Sequence, residues 1–202
     1  MLVDACVARS FGVVGWSRHL ITASGGRILL ADGVHGENPE DPSEIRGIRA
    51  ALAREANEAP PGSGLASRAL SAVVGLDELL KLGPPDLVIV TATDEEFELA
   101  VRLQSRDAAD REWRVSLGAQ TRRLDAGEAV SIAIAATRSL GFASDDEDAL
   151  RIWSAMTGAV AMRTRDVLRY LVHAGVVEEA EARQVYKTLQ TDDLHTLGGP
   201  DW

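Results

Sequence analysis

Cysteine is almost missing from this chain: Cys6 stands alone among 202 residues. That excludes an internal disulfide and a thiolate-rich zinc site, and Cys6 itself is expected to pack as a small apolar residue. Long hydrophobic runs are missing too, and no stretch approaches the roughly 20 apolar residues that span a bilayer. The opening Met1-Leu2-Val3-Asp4 has no basic flank of the kind that heads a secretory leader. A cytoplasmic protein without a membrane partner is the expectation. Aromatic residues make up only 4%, and Trp16, Trp113, Trp153 and Trp202 are too scattered to form a base-stacking platform. There is no glycine-rich phosphate loop and no nucleophile motif, which argues against a phosphatase. His19, His35, His173 and His195 show no ligand spacing. Internal repeats and low-complexity segments are absent as well.

What is present is an ordinary globular composition, 46% hydrophobic and 26% charged, enough for a real core. The net charge of -10 argues against broad electrostatic attraction to nucleic acid. It leaves room for a nuclease, because a carboxylate cluster attracts phosphate once a metal fills it. Only Lys81 and Lys187 of the 21 basic residues are lysines. Arginine's fork suits phosphate, but genome composition explains the same bias.

Apolar periodicity predicts short strands alternating with longer helices. Strands are expected at Leu2-Val3, Arg27 to Ala31, Leu87 to Thr91, Gly141 to Ser144 and Ala159 to Met162. Helices are expected over Ala5 to Leu20, Ile45 to Glu55, Leu65 to Leu82, Asp94 to Ser105, Gly127 to Leu140, Asp148 to Met156, Asp166 to Ala174 and about 178–190. Gly25-Gly26 reads as a turn, and residues 106–122 are ambiguous. This alternation predicts an α/β domain with a parallel sheet covered on both faces.

The acids carry the chemistry. Asp4 follows the first strand, and Asp145 and Asp146 follow the strand ending at Ser144, so both fall on the edge where open parallel sheets take ligands. Each also suits a helix N-cap, where aspartate is favoured. Glu128 opens the strongest helix, Leu124-Asp125-Ala126-Gly127-Glu128-Ala129. Asp125-x-x-Glu128 fits a capping box without any catalysis. Against that, Gly127 is a poor helix former that permits close approach of backbone or ligand. Both readings stand. Residues 37–44 carry four acids, and a solvated loop is their plain explanation. Carboxylates at the ends of separate elements are what a hard divalent cation requires. The pattern points to metal-dependent phosphodiester hydrolysis.

Val3-Asp4-Ala5, the Gly-Glu-Ala helix start, Ser144-Asp145-Asp146 and the tail Ala159 to Val177 together resemble PIN-domain nucleases. They look most like VapC-like toxin ribonucleases, in the branch with a Gly-Glu-Ala helix start. The resemblance covers the first strand and about the last 115 residues. It implies a three-layer fold with a central parallel sheet of four to five short strands flanked by helices, in one domain spanning 1–202. It further implies Mg2+ or Mn2+ held by acids, RNA as substrate and an antitoxin protein as partner. Carried onto this chain, the catalytic acids are Asp4, Glu37, Glu128 and Asp146. Asp4, Glu128, Asp146 and Asp145 would bind metal, and Ser144 would support its water shell. The spacing from Glu37 to Glu128 exceeds the family's pattern by about a helical hairpin, which marks residues 40–84 as an insertion. A PIN-like module that binds without cutting is the alternative. The Leu65 to Leu82 helix is apolar on much of its circumference. Burial on the core is the plain alternative, but the expectation is that this hairpin forms a homodimer or antitoxin-binding surface beside the active site.

Overall fold

The computed structural model describes residues 1–35, 43–60, 62–118, 124–191 and 202. Its centre is a four-stranded, all-parallel sheet in the order β3-β2-β1-β4. The strands are β1 (Leu2–Val3), β2 (Ile28–Ala31), β3 (Leu87–Val90) and β4 (Phe142–Ala143). They are short and apolar, as strands covered on both faces must be. Leu2 lies beside both Leu29 and Phe142, so β1 is the interior strand that joins the two halves.

The chain steps outward from β1 to β2 to β3, then returns to add β4 on the other side of β1. Right-handed crossovers therefore put the intervening helices on opposite faces. On one face α1 (Ala5–Val13) packs with α2 (Ser17–Ala23), α4 (Glu44–Glu58) and α5 (Gly64–Leu80), after a short α3 (Asp32–His35). On the other, α8 (Ala126–Thr137) packs against β1, β2, α6 (Asp94–Gln104) and α9 (Glu147–Thr157). Arg138 reaches from the end of α8 to the buried Glu96 of α6 with two contacts of 2.7 Å. The short α7 (Ala108–Ser116), α10 (Thr164–His173) and α11 (Glu179–Thr191) complete the described elements. No helix among the described residues is long and apolar enough to cross a membrane.

Several boundaries differ from the sequence expectation. The first helix breaks at Gly15, whose φ of 71° is left-handed. Its amide bonds Gly12 O and the Trp16 amide bonds Phe11 O, the paired bonds of a Schellman cap. The strand expected over Ala159 to Met162 shrinks to one parallel bridge between Met162 and Ala143. Val160 there is 91% exposed, so the run has no face to bury. The ambiguous stretch contains α7, anchored by Arg114 Nη1 donating to Arg102 O at 2.9 Å.

The hairpin of α4 and α5 forms as expected, and it is part of the core. Ile45, Leu52, Val73, Leu76 and Leu79 join the main apolar cluster. Gly75 meets α1 so closely that a Cβ would stand 2.0 Å from Gly12 O. A bidentate pair, Arg49 to Asp77 at 2.8 and 3.0 Å, fastens the two helices together. Most of the apolar circumference of α5 is thus used internally, leaving Leu70 and Val74 outward at 53% and 58% exposure.

Candidate functional site

Strand order reverses between β1 and β4, and the carboxyl ends of these two neighbours carry Asp4 and Ser144-Asp145-Asp146. Asp4 is 1% exposed and caps α1, its Oδ1 accepting from Ala5 N at 2.8 Å. Its Oδ2 accepts from the Ser144 hydroxyl at 2.9 Å and from the Cys6 thiol at 3.3 Å. Ser144 Oγ in turn accepts from Asp146 N at 3.1 Å. The Cys6 sulfur accepts from Asp145 N at 3.1 Å and lies 3.4 Å from Ser144 Oγ. One hydroxyl and one thiol therefore stitch the two strand ends together.

The two aspartates after Ser144 part company. Asp145 turns toward α10, its oxygens accepting from Thr164 N at 2.9 Å and Thr164 Oγ1 at 2.6 Å. Asp146 caps α9, with Oδ1 accepting from Ala149 N at 2.9 Å. Burial raises the Asp4 carboxyl above its ordinary range, opposed by its donors Ser144, Ala5 and Cys6 and reinforced by the charge of Asp146. Burial raises Asp145 as well, against the pull of Thr164, Arg163 and Arg9. It also pushes the Cys6 thiol well up, with Asp4 and Asp145 adding to the effect, so Cys6 stays protonated and can donate.

Glu44 enters from the first turn of α4, beyond Ser43, whose hydroxyl caps that helix. Although the residue as a whole is solvent-accessible, its carboxylate sits against the first turn of α8, with Oε2 2.5 Å from where a Cβ on Gly127 would stand. Its acid is raised to about 7, by burial first and then by the charges of Asp4 and Asp125, with Arg9 opposing. Arg9 follows Cys6 by one helical turn on the same face of α1. Burial lowers its pKa, while Cys6, Glu44 and Asp145 favour its charge.

Asp4 and Asp146 thus come together as their strand-end positions predict, with Ser144 between them. Both also fill the N-cap role, and the second oxygen of Asp4 is already held by Ser144 and Cys6. Asp145 belongs to the same turn but is tied to Thr164. Glu128 completes the capping box, its Oε2 accepting from Asp125 N at 2.9 Å. Glu37 lies outside the described residues. Glu44, Arg9 and the polar role of Cys6 were not singled out from sequence. The signal for Glu44 was its membership in the acid cluster 37–44, with a serine cap just before it. Among the described residues, no three histidine, cysteine, aspartate or glutamate side chains form a group that by itself could hold a metal ion. Comparison with protein-family models, curated proteins and solved structures finds no match to this chain.

Proposed function

We propose that this chain is a metal-dependent nuclease of the PIN type that hydrolyses RNA phosphodiester bonds. The observation that carries the reading is that Ser144 ties the Asp4 carboxylate to the Asp146 backbone at the β1/β4 reversal. Open parallel sheets take their ligands in such a crevice. Glu44 stands close enough for the charge of Asp4 to raise its acid. The parallel order with helices on both faces is compatible with the three-layer PIN arrangement, in which residues 40–84 would be the insertion.

Magnesium or manganese suits this donor set, because every candidate ligand is a carboxylate oxygen. Magnesium keeps several of its waters and takes as few as one or two carboxylates. Asp4 and Asp146 would hold the ion, with Glu44 as a further ligand. When bound it would supply Lewis acidity toward phosphate and a water of lowered pKa. The chain's own contribution is orientation. Ser144 fixes the Asp4 carboxylate and the backbone of Asp146 at once. Arg9 and Arg163 offset part of the negative field around Asp145 that an RNA phosphate would meet.

The test is cleavage of single-stranded RNA with Mg2+ or Mn2+, in EDTA, and by Asp4→Asn. Asparagine keeps the shape of aspartate and removes the charge. The expected result is cleavage that both EDTA and the substitution abolish. Equal cleavage in EDTA, or full activity in Asp4→Asn, refutes the reading. A module that binds RNA or protein without cutting is the second reading, since one oxygen of Glu128 accepts from the Asp125 amide in a capping box. RNA retained intact in the presence of manganese would select it. The toxin role would add a neutralising antitoxin, checked by whether an adjacent reading frame encodes a small DNA-binding protein.

A further inference from the structure

Gly127 occupies the second position of α8, where its backbone has no need of glycine: its φ is not among the left-handed values of this chain. Glycine costs a helix about 1 kcal/mol relative to alanine, so something other than local conformation accounts for its suitability there. The geometry supplies the reason. An added Cβ would meet Glu44 Oε2 at 2.5 Å, while its next neighbour, Val34 Cγ2, would be at an ordinary 3.5 Å. The obstructing atom is the far end of a flexible side chain, so alanine would displace the carboxylate and spare the helix.

We infer that Gly127 is a positioning residue: its missing side chain forms the seat that holds the Glu44 carboxylate against the first turn of α8. The inference rests on the proposed metal role of Glu44 for its functional consequence, but the seat itself rests on the approach of the Glu44 carboxylate to Gly127. The charge of Arg9 acts on Glu44 from α1 and favours its ionised form. Residues that orient a ligand without touching the ion typically change metal affinity 10- to 100-fold, an expectation of about that size here.

The experiment is a double-mutant cycle of Gly127→Ala and Glu44→Ala in the full chain, read by Mn2+ titration and by thermal melting in EDTA. Gly127→Ala should fold and bind Mn2+ at least about 10-fold more weakly. In the Glu44→Ala background the same change should leave Mn2+ affinity unaltered. In EDTA, Gly127→Ala should raise the melting temperature more when residue 44 is alanine than when it is glutamate, because only glutamate is displaced. Additive melting shifts overturn the seat, and unchanged manganese affinity in Gly127→Ala overturns the positioning role. A Gly127→Ala chain that folds only together with Glu44→Ala shows the same clash in stronger form. A wild type that binds no manganese overturns the proposed metal function instead, and the melting cycle then decides the seat alone.

Discussion

Removing one hydroxyl should disturb both halves of the candidate site. Ser144 is fully buried, donates to Asp4 Oδ2 and accepts from Asp146 N. Ser144→Ala deletes a hydrogen bond to a buried carboxylate, which is worth about 1.5–3 kcal/mol. It also strands the Asp146 amide, whose loss falls near the low end of the about 1–3 kcal/mol range because Asp146 is only half-buried. The sum is about 2–4 kcal/mol at pH 7. At about 2–4 °C per kcal/mol for a chain of this size, the melting temperature should fall by about 5–15 °C. The assay is urea denaturation followed by circular dichroism, with Ser71→Ala as control. The Ser71 hydroxyl also bonds a carbonyl, at 3.0 Å, but on an exposed surface, so its removal should change stability by less than about 0.5 kcal/mol. The deficit of Ser144→Ala should narrow in acid, where a protonated Asp4 depends less on a donor. If Ser144→Ala matches Ser71→Ala, the hydroxyl does not hold the strand ends together.

The remaining predictions concern protons and the two adjacent aspartates. Glu44 titrates near 7 in the folded chain instead of at 4.5, and Asp4 and Asp145 are shifted upward as well. Between those limits the folded state binds more protons than the unfolded one, so metal-free stability should fall as pH rises from 4.5 to about 7. Glu96 acts in the other direction: Arg138 lowers its acid, so its contribution is lost only as pH falls through the acid range. Denaturation midpoints in EDTA across the upper window check the sign, and a stability that stays level or climbs there contradicts it. Thr164→Val keeps the side-chain shape but removes the donor 2.6 Å from Asp145 Oδ2. It should cost about 1.5–3 kcal/mol in the same denaturation assay. Because Asp145 is turned to α10, Asp145→Asn should weaken manganese binding less than Asp146→Asn; the reverse order in a titration would exchange their roles.

The parts of the site legible in sequence are those fixed by local rules. Asp4 and Asp146 follow short apolar runs that fit buried parallel strands, and residues just past such strands face the ligand-binding edge. The Asp125-x-x-Glu128 spacing announced its capping box because that motif depends on one helical turn. Glu44 was hidden for the opposite reason. In the sequence it sits close to three other acids, Glu37, Glu40 and Asp41, and only the tertiary approach of its carboxylate to the first turn of α8 distinguishes it. The bonds of Cys6 were equally out of reach, since they exist only because β4 lies beside β1. The break at Gly15 is a different case. A glycine stood at the cap position, but the apolar pattern running on through Leu20 outweighed it. The helix α7 carries four charged residues among nine and buries only Arg114, so its few apolar residues left it ambiguous with a loop.

Anomalous diffraction from a crystal soaked in manganese tests the central claim most directly. The account predicts a peak in the crevice between β1 and β4, about 2.1 Å from a carboxylate oxygen of Asp4 or Asp146, with waters in the remaining positions. Glu44 should point toward the ion, directly or through one of those waters. No peak there at millimolar manganese, with Asp4 and Asp146 ordered, would contradict the metal site and leave their carboxylates as helix caps alone.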